Sequence, residues 1–122
     1  MSMQDYLNKL KAAKADYPFK RWCESGLEQY TPEACAAFTK IFDKLIADLG
    51  KLGVNADDDA KLATIEQAVL ALNDLDDEDE RLIETDEREQ LCELVNTIAR
   101  AAGLDPKDYG DGEGPASEWR EW

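Results

Sequence analysis

The sequence predicts an all-α fold: one domain over residues 1–122, an antiparallel bundle of about four main helices with an ordered C-terminal tail. Three observations predict it. Apolar residues recur at three- and four-residue spacing in four separate segments. No stretch alternates apolar and polar residues with enrichment in β-branched side chains, so no sheet is expected. The links between the periodic segments are short and there is no internal repeat, and helices joined in this way pack as an antiparallel bundle.

The first element covers residues 2–16, where Met3, Tyr6, Leu7, Leu10 and Ala13 share one face among lysines. Pro18 and Gly26 punctuate the aromatic-rich stretch YPFKRWCESGLEQY, residues 17–30, expected to cover the core irregularly or as a helical turn. The strongest helix opens at Thr31-Pro32-Glu33. Thr31 can cap the free amides, Pro32 suits the first helical position, and Glu33 complements the positive helix end. Cys35, Phe38, Ile41, Phe42, Leu45, Ile46, Leu49 and Leu52 then form a wide apolar stripe, and Gly50 and Gly53 are read as its stop. Asn55 with Asp57, Asp58 and Asp59 loads the start of the next helix with carboxylates. Its inward face is Leu62, Ile65, Val69 and Leu72, with Ala68 and Ala71 alongside. Residues 73–81, NDLDDEDER, read as an acidic connector. Thr85 is the expected cap of the last main helix, whose buried face is Leu91, Leu94, Val95, Ile98 and Ala102, with Gly103 as its stop. The remaining tail reads as loop until Ser117, which can cap one last turn.

Charge is distributed very unevenly. Residues 1–54 carry 8 basic and 7 acidic side chains; residues 55–122 carry 6 and 21, so essentially all of the net charge of −14 lies in the second part. Nucleic acid as a direct ligand is disfavoured, because phosphate neutralisation needs clustered Lys and Arg. An anionic membrane surface is disfavoured for the same reason. A basic protein partner fits. Oligomeric state stays open, a homodimer included. The opening MSMQDYLNKLKAAKADY holds no continuous apolar run of signal-peptide type. Three cysteines, Cys23, Cys35 and Cys92, show no C-x-x-C spacing and read as free, buried thiols, so a cytoplasmic location is expected.

Absent residue types decide much of the chemistry. There is no histidine, which excludes Ser-His and Cys-His catalysis and H-E-x-x-H metal sites. None of Ser2, Ser25 and Ser117 sits in a nucleophile elbow, and no phosphate-cradling glycine motif is present. Residues 55–66 place Asn55, Asp57, Asp59 and Glu66 at calcium-loop positions, but Ala60 stands where that loop needs glycine. The same stretch reads better as a helix start. Glu84, Glu87, Glu89 and Glu93 line a helix in the manner of Mg²⁺-dependent nucleotide hydrolases, yet Asp43, Asp48 and Glu66 do not supply a matching inward pair. No cofactor, no metal and no enzymatic activity are expected. Candidate partner-binding residues are Asp74, Asp76, Asp77, Glu78, Asp79, Glu80, Glu84, Glu87 and Glu89, joined by Trp119 and Trp122. The two indoles, three residues apart, project from one side of a helical turn, as a lid over the bundle or a handle for a partner; the lid is favoured.

The run Ile83, Glu84, Thr85, Glu87, Arg88, Glu89 and the closing Trp119, Arg120, Trp122 resemble a group of short acidic bacterial proteins, the immunity proteins of polymorphic toxin systems. The likeness covers the C-terminal third, and residues 1–54 show none. It implies a non-enzymatic protein that binds and neutralises a cognate secreted toxin, here through an acidic surface spanning Asp74–Glu93. A divalent-metal-dependent helical nucleotide hydrolase and an acidic DNA mimic are the competing readings.

Overall fold

The computed structural model describes residues 2–24, 30–78 and 83–122, with residue 78 described in its backbone only. The described residues form helices and turns without strands. Five α-helices follow in order: α1 (Met3–Ala12), α2 (Phe19–Glu24), α3 (Pro32–Leu52), α4 (Asp58–Glu78) and α5 (Thr85–Ala101). Short 3₁₀ turns occupy Ala13–Asp16, Pro106–Asp108, Gly110–Gly112 and Pro115–Glu118. Gly26 lies outside the described residues, as do Asp79 and Glu80.

Local chemistry sets most boundaries. Ser2 Oγ accepts from the Asp5 amide at 3.1 Å and starts α1. Thr31 Oγ1 accepts from the Ala34 amide at 3.2 Å, with Pro32 in the first turn of α3. Asp57 Oδ1 accepts from the Ala60 amide at 2.8 Å and opens α4. At the end of α5 the Leu104 amide bonds back to Ala99 O (2.9 Å), with Gly103 at φ +91 in the left-handed region. That pattern closes the helix as a Schellman motif.

Four expectations are corrected. Gly50 does not stop α3, which runs to Leu52 and ends at Gly53, φ +88. Gly50 instead lets α1 approach closely: a Cβ there would lie 3.3 Å from Leu7 Cδ2. The acidic connector begins later than expected, because α4 continues through residues 73–78; its inward stripe runs past Leu72 into Asn73 and Asp76, which are buried with it. Thr85 is the first helical residue of α5, and the cap position falls to Glu84, with no side-chain cap. Met3 and Leu7, read as core-facing, are exposed, since the buried side of α1 narrows to Tyr6 and Leu10; Leu52, the last residue of α3, is exposed as well.

The core is aromatic at one end. Phe19 of α2 stacks on Phe38 and Phe42 of α3, centroids 5.5 and 5.6 Å away, and meets Trp22 edge-on at 5.3 Å. Ile65, Val69 and Leu72 of α4 and Leu91, Val95 and Ile98 of α5 complete it. At the opposite end lies a buried lysine. Lys61 Nζ donates to Ala102 O at 2.8 Å and Val54 O at 3.2 Å, and sits 5.1 Å above the Tyr6 ring. One cation thereby ties the end of α5 to the α3–α4 link and to α1. Lys61→Ala strands a buried carbonyl and is expected to cost about 2–3 kcal/mol, the scale of hydrogen bonds to charged groups. Urea denaturation checks it: a loss under about 0.5 kcal/mol would show that the clasp contributes nothing.

Candidate functional site

The exposed carboxylates among the candidate contact residues lie on two helices. On α4, Asp74 and Asp77 stand on the outer face. On α5 and at its cap, Glu84, Asp86, Glu89 and Glu93 are exposed. An open cleft of about 460 Å³ lies at the start of α5, lined by Ile83, Glu84, Thr85, Asp86, Glu87 and Arg88. Among the described residues the ion pairs are Lys14–Asp43, Lys44–Asp48 and Arg100–Glu93. Asp74, Asp77, Glu84, Asp86 and Glu89 therefore make no ion pair within the described chain. Such a surface carries negative potential that no ion pair among the described residues offsets.

Two predicted contact residues are corrected. Asp76 is buried, and its Oδ1 accepts from the Ile83 amide at 2.7 Å. It thereby fastens the chain that leads into α5 to the side of α4. Glu87 is also buried, and its Oε1 accepts from the Tyr30 hydroxyl at 3.0 Å. Burial, reinforced by this carboxylate partner, pushes the Tyr30 pKa well above its ordinary value. Beside them the Trp22 indole donates to Gln90 Oε1 at 2.9 Å. These groups organise that end of the bundle, and their carboxylates are engaged in internal hydrogen bonds. Asp79, Glu80 and the Glu78 side chain fall outside what is described.

The tail is the second feature. Pro115 and Ala116 are buried, and the Arg120 amide bonds back to Ala116 O at 2.9 Å. Asn73 then grips the chain with both ends of its amide. Its Nδ2 donates to Trp119 O at 3.0 Å, and its Oδ1 accepts from the Glu121 amide at 2.9 Å. Arg120 donates to Trp122 O at 2.9 Å and lies 5.7 Å from the Trp122 ring centre. Both indoles are half-buried and packed against the core. The expectation of a helical turn presenting both indoles is corrected: the 3₁₀ turn ends at Glu118, and residues 119–122 are non-helical because Asn73 holds their backbone. Ser117 lies inside that turn and caps nothing; its hydroxyl meets Glu113 Oε2 at 3.3 Å.

Asn73 was not singled out in the sequence. A signal was present: Asn73 and Asp76 follow Val69 at four and seven residues, polar groups on an apolar stripe.

The three cysteines are unbridged. Burial, with Cys23 close by, lifts the Cys35 thiol to about 11. Burial also raises Cys92, outweighing Arg120 and Arg88, which pull it down. Neither is poised as a thiolate. In the calcium reading, Asp59 and Glu66 stand seven residues apart on one continuous helix, about 10 Å along its axis, and do not wrap a single ion. Among the described residues no cluster of His, Cys, Asp or Glu is arranged to hold a metal, and no helix is long and apolar enough to cross a membrane. Comparisons with protein-family models, curated proteins and solved structures find no match.

Proposed function

We propose that this chain is a non-enzymatic binding protein that neutralises a basic protein partner, as a cytoplasmic immunity protein does to its cognate toxin. The observation that carries the reading is the set of exposed carboxylates Asp74, Asp77, Glu84, Asp86 and Glu89, without ion-pair partners among the described residues. Leaving such charge uncompensated resists compaction of the chain itself. It is repaid when a positive surface arrives, since complementary potentials speed encounter and exclude wrong partners. Asp76 and Glu87 support the reading indirectly by holding the start of α5 against its neighbours, so the acidic groups stand on a fixed scaffold.

Co-purification from the source cell at 50 and 500 mM salt is expected to recover a basic protein at low salt and at least tenfold less of it at high salt. Reversal of Asp74, Asp77, Glu84 and Glu89 to lysine abolishes recovery while helical circular dichroism is retained. A folded reversal variant that still binds, or no protein partner at either salt, overturns the proposal.

A further inference from the structure

The molecule carries a surface of the opposite character on the far side of α3 from α4. Leu7, Leu10, Ile46, Ala47 and Gly50 floor an apolar groove between α1 and α3. Lys11, Lys14 and Lys51 rim it. Gly50 adds no side chain to the floor, and a Cβ there would lie 3.3 Å from Leu7 Cδ2. Leu7 is 38% exposed and Met3, beside Gly53, is 42% exposed. Lys14 pairs with Asp43 at 3.8 Å, whereas Lys11 and Lys51 make no ion pair among the described residues. A lysine-rimmed apolar groove on a chain of net charge −14 is matched by an apolar ridge flanked by carboxylates.

The chain itself presents that ridge. Among the described residues, the exposed large hydrophobics Met3, Leu7 and Leu52 lie along α1 and the end of α3, and Leu70 is 45% exposed on α4. Helical spacing sets Glu66 one turn before Leu70 and Asp74 and Asp77 one and two turns after it, on the same outer face. None of these carboxylates is ion-paired among the described residues. We propose that the α4 ridge of one copy docks in the α1–α3 groove of another, Leu70 against the apolar floor and the flanking carboxylates against Lys11 and Lys51. Groove and ridge are different surfaces, so a single contact is heterologous and leaves one of each open unless the assembly closes on itself. Net repulsion between copies opposes it at low ionic strength. At 0.15 M salt, where the screening length is about 8 Å, distant like charges are largely screened and contacting pairs are not.

Sedimentation equilibrium from 10 µM to 1 mM in 0.15 M salt tests it. The average mass of the wild type rises with concentration above that of the monomer. Lys11→Glu with Lys51→Glu in the groove, or Asp74→Lys with Asp77→Lys on the ridge, weakens association at least tenfold. All four positions are exposed, and circular dichroism verifies folding. Mixing the two variants restores association to within about threefold, because the reversed groove now matches the reversed ridge. A wild type that stays monomeric at 1 mM, association surviving either variant, or no recovery on mixing overturns the proposal. The groove variant leaves the proposed basic-partner surface untouched, so loss of self-association and loss of partner binding are separable.

Discussion

Phe19→Ala is expected to destabilise the protein by about 3–5 kcal/mol, the range for truncating a buried phenylalanine. For a chain of this size that lowers the melting temperature by on the order of 10–20 °C. The size of the effect follows from position. Phe19 is almost completely buried, and its ring contacts Tyr17, Trp22, Phe38 and Phe42 at centroid distances of 5.3–5.6 Å. It belongs to α2, described over the six residues Phe19–Glu24. A helix that short has no independent stability, so α2 exists because Phe19 and Trp22 hold it on α3. Truncation therefore leaves a cavity among four aromatic rings and loosens the segment that carries Trp22. Urea titration followed by both tryptophan fluorescence and circular dichroism is the measurement. A shifted midpoint at unchanged slope is expected, and a loss under about 1 kcal/mol would mean that α2 is not integral to the core.

Deleting Trp119–Trp122 is expected to cost about 2–4 kcal/mol while leaving the helices formed. The apolar part comes from two half-buried indoles, each contributing a fraction of the roughly 1.5–3 kcal/mol of a fully buried large side chain. The polar part comes from Asn73, which is 7% exposed and loses both its donor and its acceptor partner. An unsatisfied buried amide costs about 1–3 kcal/mol. Asn73→Ala separates the two parts. It frees the tail backbone without removing the indoles, and should reproduce about half of the deletion's effect. If the deletion shifts the urea midpoint by less than the equivalent of 0.5 kcal/mol, the tail is a handle and the clasp is incidental.

Much of the fold was legible from the chain. Thr31, Pro32 and the eight-residue apolar stripe of α3 located a helix whose observed start coincides with the expected one, because capping and periodicity are local properties. The end of α4 was misplaced for the converse reason. Asn73, Asp74, Asp76 and Asp77 read as a solvated connector until Asn73 and Asp76 find the Trp119 carbonyl, the Glu121 amide and the Ile83 amide. Those partners are 7 to 48 residues away, and no local pattern announces them.

The candidate site divides along the same line. Its acidity was readable as a count of carboxylates, and Asp74, Asp77, Glu84 and Glu89 stand exposed as a solvated face would. Asp76 and Glu87 carry the same charge in the same stretch yet are buried. The helical rotation that turns them inward is settled by what packs against α4 and α5.

By itself, then, the sequence determined the helical class, the main helices and the lopsided charge, all consequences of residue type and spacing along the chain. Tertiary structure decided which carboxylates are hydrogen-bond anchors and which remain surface. It also bound the terminal W-R-E-W to Asn73, and left Leu7 and Leu70 outside the core. Burial and polar pairing are settled between distant segments, where desolvation makes one partner's position depend on the other's.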